Sequence, residues 1–211
     1  MKHLIILGAG GMGKEFFYTA KHSLGYGREF VVKGFLDFPN PDWDTTVYPP
    51  ILGIEDEYEI QPDDVFTCSI GDVNIKRKVC EKMKARGASF QTLIMDNAEI
   101  RDGVKLGDGC VVDSYAHIGS DVTIGENCLI QGYAAIGHDC IIGDYTRIDP
   151  RVSIVGGVVV GSNVTIHTAS VLNHKVKVGD NATIGAMSFV ILKVKENTSV
   201  FGIPAKVIDY K

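Results

Sequence analysis

Every sixth residue from Ile94 onward is Ile, Leu or Val. The column runs Ile94, Ile100, Leu106, Val112, Ile118, Ile124, Ile130, Ile136, Ile142, Ile148, Ile154, Val160, Ile166, Leu172, Val178, Ile184, Val190, seventeen positions without an exception. The residue four places further on is also restricted: Ala98, Val104, Cys110 and so on to Val194 are all small or β-branched. Against a background of about half apolar residues, seventeen hits in the first column alone have odds of about one in 100,000. Neither the helical nor the strand period produces such a pattern. Six-residue periods belong to β-helices. Three flat repeats make one triangular coil, with the aliphatic residue filling the interior and the small one at the corner. No coil buries its apolar face alone, so the coils must stack. Nearly six coils at strand spacing span about 27 Å. The register breaks after Val190, at Glu196, where the prism is expected to end.

Residues 1–92 obey another rule, which predicts two domains, 1–92 and 93–211. Residues 3–7 (HLIIL) predict a buried strand that leads into Gly8-Ala9-Gly10-Gly11-Met12-Gly13, and a helix is expected over 14–22. Gly8-x-Gly10-x-x-Gly13 follows a strand and opens a helix, where free backbone N–H groups and the helix dipole favour an anion. Strands are expected at 30–36, 65–70 and 90–94, with a helix ending at Arg86, which together describe a parallel βαβ-type unit. Asp37 ends the second strand, where an acid could meet a ribose or base. A full dinucleotide fold has two such halves and this chain has length for one, so a mononucleotide group is expected rather than NAD.

Composition closes other routes. Net charge is −5, and the longest basic run is Lys76-Arg77-Lys78, so there is no footprint for a nucleic-acid backbone. No apolar run approaches the ~18–20 residues of a membrane span. The short apolar stretch after Met1-Lys2-His3 lacks the features of a signal peptide, so a cytoplasmic location is expected. The five cysteines are odd in number and form no CxxC pair, which argues against a disulfide framework or a zinc ribbon. Cys110, Cys128 and Cys140 fall in the small inward column and read as core filler.

The histidines sort by their place in the three-repeat coil. His138 and His174 are separated by two whole coils, with Gly156 midway between them. Two rungs are about 9–10 Å apart, too far to share a metal at ~2.1 Å, so no metal is expected. His138 occupies an outward slot beside Asp139. A histidine suits proton transfer because its ordinary pKa lies near working pH. Gly156, one coil on, would allow close approach to the backbone.

The hexapeptide pattern resembles the left-handed parallel β-helix acyltransferases. Together with GAGGMG at 8–13, FLDF at 35–38, SIGDVNIKRKV at 69–79, IGHD at 136–139 and FGIPAK at 201–206, it is similar to the bacterial sugar acetyltransferases of the sialic-acid O-acetyltransferase and nucleotide-amino-sugar N-acetyltransferase group. The resemblance covers essentially the whole chain. It implies a left-handed β-helix, a homotrimer with sites between subunits, and transfer from acetyl-coenzyme A to the amino group of a nucleotide-linked amino sugar, with O-acetylation of a sialic acid or other sugar hydroxyl as the alternative. Direct transfer in a ternary complex is expected because no outward nucleophile is evident. It implies His138 as general base, Asp139 as its modulator and the Gly156 N–H as donor to the acetyl carbonyl. On the coenzyme side it points to Arg147, His174, Ala186, Ile203, Pro204 and Lys206, and on the substrate side to Gly11, Met12, Gly13, Asp37, Phe38 and Gly71. Two positions depart from the family pattern. Arg147 stands where a second histidine is often found, and Met12 where the glycine loop often has histidine. Amine and hydroxyl acceptors are not separated by any residue here. An NAD-dependent oxidoreductase is opposed by the short first half, and a non-catalytic protein by the His138-Asp139 pair.

Overall fold

The computed structural model describes residues 1–208, so residues 209–211 of the expected second domain lie outside it. The chain forms two compact units, residues 1–96 and 97–211, each with its own core.

In the first unit β1 (Lys2–Leu7) lies between β2 (Phe30–Leu36) and β3 (Asp64–Cys68), and both pairings are parallel. Leu4 to Leu7 are fully buried, and Phe30, Phe35, Phe66 and Met83 complete this core. Helix α1 (Gly11–Lys21) follows β1. It starts three residues earlier than 14, with Gly10 as its N-cap, so Gly11, Met12 and Gly13 form its first turn. Gly13 is required there, because a Cβ would lie 2.2 Å from the Gly8 carbonyl oxygen. Helix α2 (Val73–Ala85) is capped by Asp72, which accepts from the N–H groups of Asn74 and Ile75. The strand expected over 90–94 is reduced to a single bridge from Phe90 to Phe66 and a separate pair, Leu93–Ile94, because polar Gln91 and Thr92 interrupt the apolar run.

The second unit is a left-handed parallel β-helix of two-residue strands. Each strand pairs with the one three repeats on: Ala135–Ile136 with Ser153–Ile154, Arg147–Ile148 with Thr165–Ile166, Ile141–Ile142 with Val159–Val160. The aliphatic column is buried from Val112 to Val190, and the small column from Cys110 to Val194. From Val104 to Ser188 the residue before each small one takes a left-handed backbone. Thirteen non-glycine corners have φ between 53° and 62°. Such a conformation costs an L-residue about 1–2 kcal/mol, least for Asn and Asp. Six of the thirteen are Asn or Asp, and Asp139 is one of them. The glycine after the aliphatic residue has a different cause, since the next coil lies against it. A Cβ on Gly119 would sit 2.8 Å from the His138 nitrogen, and one on Gly137 2.7 Å from the Gly156 nitrogen.

The prism does not end where the register breaks. Val194 bridges Val178, and Ser199–Phe201 pairs in parallel with Thr183–Ile184, so the last coil is shortened by two residues and continues. Lys206–Val207 then folds back antiparallel on Ser199–Phe201 and covers that edge. Among the described residues no helix is long and apolar enough to cross a membrane.

One buried charge stabilises the first unit. The side chain of Asp64 has no exposed surface and accepts from Lys33 Nζ at 2.8 Å, Tyr58 Oη at 2.8 Å and the Gln61 N–H at 2.9 Å. Burial pushes its carboxyl up, but these donors and the lysine charge outweigh burial and hold it below the usual carboxylate range. Its stabilisation is therefore full above the unfolded pKa of about 4 and is lost as pH falls through the lower folded value. Asp64→Asn should cost about 1–3 kcal/mol at neutral pH. In urea melts between about pH 5 and pH 2 the wild-type chain should lose its advantage over this variant. An unchanged gap across that range would exclude the ion pair as its source.

Candidate active site

In the second unit the coil spacing places one histidine on one glycine. His138 lies in the turn after Ala135–Ile136, and Gly156 in the equivalent turn one coil on. The imidazole rests directly over Gly156, where an added Cβ would lie 2.5 Å from Nε2 and 2.7 Å from Cε1 of His138. Gly156 is thus a seat for the ring. The corner itself is made by Gly157, at φ 72°. The ring is 65% exposed, and its Nδ1 lies 2.6 Å from Oδ2 of Asp139. The left-handed corner at Asp139 goes with this carboxylate's return to its neighbour, and with Nδ1–H donating to it, Nε2 is left as the open acceptor. The Gly156 N–H takes no part in the strand ladder, and among the described residues no group accepts from it. Gly137 below has no side chain to cover it. A proton acceptor and a free backbone donor therefore lie side by side on an open face, the pair that acyl transfer uses.

The other expected residues of this unit are spread more widely. His174 is exposed one coil beyond Gly156. Arg147 and Ala186 belong to a different stack, that of Arg147–Ile148, Thr165–Ile166 and Thr183–Ile184. Arg147 Nε donates to Oδ1 of Asp149 at 2.5 Å. Asp149 is buried and also holds Gln131 and His167, each at 3.0 Å. Sequence reasoning missed this anchor, although Asp149 sits two residues after Arg147 and one coil from both Gln131 and His167. Ile203, Pro204 and Lys206 are exposed on the closing hairpin. Cys140 is buried and burial pushes its thiol up, which removes it as a nucleophile.

In the first unit the end of β1 meets the ends of β2 and β3 in a cavity of about 230 Å³, lined by Gly8, Asp37, Phe38, Glu55, Ile70 and Ile75 among others. The N-terminus of α1 has no side-chain cap and no acid in its first turn, so the N–H groups of Gly11, Met12 and Gly13 carry an unneutralised dipole. Asp37 serves the loop itself. Its Oδ2 accepts from the Ala9 N–H and its Oδ1 from the Phe38 N–H, both at 2.7 Å. Ser69 Oγ holds the loop from the other side, donating to the carbonyls of Leu7 and Gly8. Phe38 is 74% exposed, and Gly71 lies two residues beyond Ser69 in the turn to α2. Glu55 has no signature in the sequence, since it comes from an aperiodic loop.

Residues 3–83 match the PglD N-terminal domain family, and four overlapping stretches within 103–191 match the bacterial transferase hexapeptide family. The chain's second unit is a hexapeptide-repeat transferase domain. Among solved structures the chain is similar to the acetyltransferase domain of PglB from Neisseria gonorrhoeae FA1090, with 27% identity, a TM-score of 0.88 and 99% of this chain against 100% of that one. PerB from Caulobacter crescentus shares the fold at 24% identity and TM-score 0.87, over 99% and 98% of the two chains. WeeI from Acinetobacter baumannii AYE does so at 22% and 0.88, over 99% and 100%. No curated protein matches the chain.

The seat gives a direct test of this transferase's geometry. In Gly156→Ala the new methyl should push the His138 ring aside and break its contact with Asp139, with stability changed by less than about 1 kcal/mol. A crystal structure of the variant with the imidazole in its original place would contradict the packing described here.

Proposed function

We propose that this transferase moves the acetyl group of acetyl-coenzyme A onto the amine of a nucleotide-linked amino sugar. The observation that carries the reading is the His138 ring seated on Gly156, with an open Nε2 beside an unpartnered N–H. The PglB acetyltransferase domain, 26% identical in its complex with acetyl coenzyme A, supports the donor. The same fold in PerB holds CoA and GDP-perosamine. In the first unit, the glycine loop, the bare start of α1 and the cavity beside them suit a nucleoside diphosphate better than a dinucleotide.

On this reading His138 Nε2 takes a proton from the amine as its lone pair attacks the thioester carbonyl. The Gly156 N–H receives the developing oxyanion. Collapse expels the coenzyme thiolate, and the proton held on His138 is returned to it. Asp139 keeps Nδ1 protonated and the ring oriented throughout. No metal enters this scheme. His138 and Arg147 lie on different stacks of one prism, so a coenzyme touching both would lie between two copies. This supports a homotrimer with shared sites, in which His174, Ala186, Ile203, Pro204 and Lys206 would line the coenzyme's path. Gly11, Met12, Gly13, Phe38 and Gly71 would face the nucleotide sugar, with Asp37 holding the loop. Five free thiols and a cytoplasmic donor suit a reducing compartment, and we place the protein in the cytoplasm.

Turnover with acetyl-coenzyme A and a panel of nucleotide amino sugars tests the proposal. His138→Ala should lower kcat by about 10²–10⁴-fold, with coenzyme affinity unchanged and the assembly intact by light scattering. Wild-type turnover in that variant would remove His138 from the mechanism.

A further inference from the structure

The cavity of the first unit carries a feature that a general nucleotide site does not need. Its walls are apolar: Leu7, Leu36, Ile70, Ile75 and Val79 line it, with the exposed Phe38 ring also on its lining. At about 230 Å³ it is sized for a flat heterocycle rather than for a whole nucleotide sugar. Two acidic residues, Asp37 and Glu55, are on its lining. Asp37 has one oxygen on each of two loop N–H groups. Glu55 is half-buried, and among the described residues its carboxylate has no hydrogen-bond or ion-pair partner. Its backbone is nonetheless fixed, because the Arg86 guanidinium donates to the Glu55 carbonyl and, at 2.6 Å, to that of Tyr58. The arginine thus fixes, at the lining of an apolar slot, a loop whose Glu55 carboxylate is unpaired among the described residues.

A carboxylate only accepts, and accepts best from two parallel donors. The bases differ in that respect. Guanine offers N1–H and its 2-amino group side by side. Uracil offers one N–H flanked by two carbonyl oxygens, which a carboxylate repels. Adenine and cytosine each offer one amino group next to an acceptor nitrogen. We propose that this slot takes the base of the nucleotide sugar and selects guanine, with both Glu55 oxygens accepting from N1–H and the 2-amino group and the Phe38 ring stacking on the base face. The assignment rests on the nucleotide-sugar reading above and adds the identity of the base. Glu55 is then the specificity-determining residue of the first unit, and Arg86 positions it from behind.

Calorimetry on the full chain with GDP, IDP, ADP and UDP tests this. GDP should bind roughly 10–100-fold more tightly than UDP or ADP, the usual worth of a bidentate base contact. IDP, which lacks the 2-amino group, should fall between them. Glu55→Gln places an amide donor against guanine's own donors, so it should weaken GDP and narrow its margin over ADP and UDP. UDP or ADP binding as tightly as GDP, GDP and IDP binding alike, or a GDP margin unchanged in Glu55→Gln would each overturn the guanine assignment and leave the nucleotide site standing. Failure of all four nucleotides to bind the wild-type chain would overturn the nucleotide-sugar reading with it. The comparison of GDP with IDP uses wild-type protein and does not depend on how the variant folds.

Discussion

Everything in the second unit depends on backbone pairing between successive coils. That pairing is parallel and in register from coil to coil, so a side chain's position in one turn decides what it meets in the next. Apolar columns fill the interior, left-handed corners turn the chain, and glycines stand wherever the next coil presses against a Cβ position. The same rule makes the site. A histidine in an outward turn has as its upper neighbour whatever holds the same place in the next coil, and here that residue is Gly156. Any side chain there would take the place of the ring. The proposed catalytic arrangement is therefore an ordinary consequence of stacking with one side chain left out.

Asp139 shows the economy of this design. Its corner must adopt a left-handed backbone whichever residue occupies it, and Asp tolerates that conformation better than most. The same residue carries the carboxylate that fixes the imidazole. Fold and chemistry thus draw on one conformational requirement at one position.

The periodic half was legible in the sequence nearly residue by residue, because a single rule repeats and each repeat checks the last. Val112 to Val190 and Cys110 to Val176 are buried as the columns require, and the vertical relation of His138 to Gly156 followed from counting. The rule failed only where it stopped repeating. Between Val190 and Val194 the chain drops two residues, which reads as an ending, although backbone pairing resumes through Val194 and Ser199–Phe201. The first unit was legible in its strands and less so elsewhere. Helix α1 begins among its glycines because its start is set by the Gly8 turn and by the close packing of Gly13, and helix propensity alone places it later. Asp37 looked like a ligand-facing acid, yet both of its oxygens hold the loop. Glu55 was invisible, because the segment between β2 and β3 has no period to read and only the fold brings it to the cavity.

The two units provide different kinds of structure. Strand ends and a bare helix start in the first supply backbone donors suited to phosphate. The face of the second seats the His138 ring against Gly156 and Asp139, the groups proposed as base, oxyanion donor and modulator. The central proposal is that His138 and the Gly156 N–H serve one acyl transfer, the first on the attacking amine and the second on the acetyl oxygen. A crystal structure of the enzyme with coenzyme A and the amino-sugar acceptor tests it most directly. The account predicts the acceptor nitrogen at about 3 Å from His138 Nε2, and the place of the acetyl oxygen at about 3 Å from the Gly156 nitrogen. An acceptor amine and a coenzyme sulfur that meet at another face, with the His138 ring turned to solvent, would contradict it.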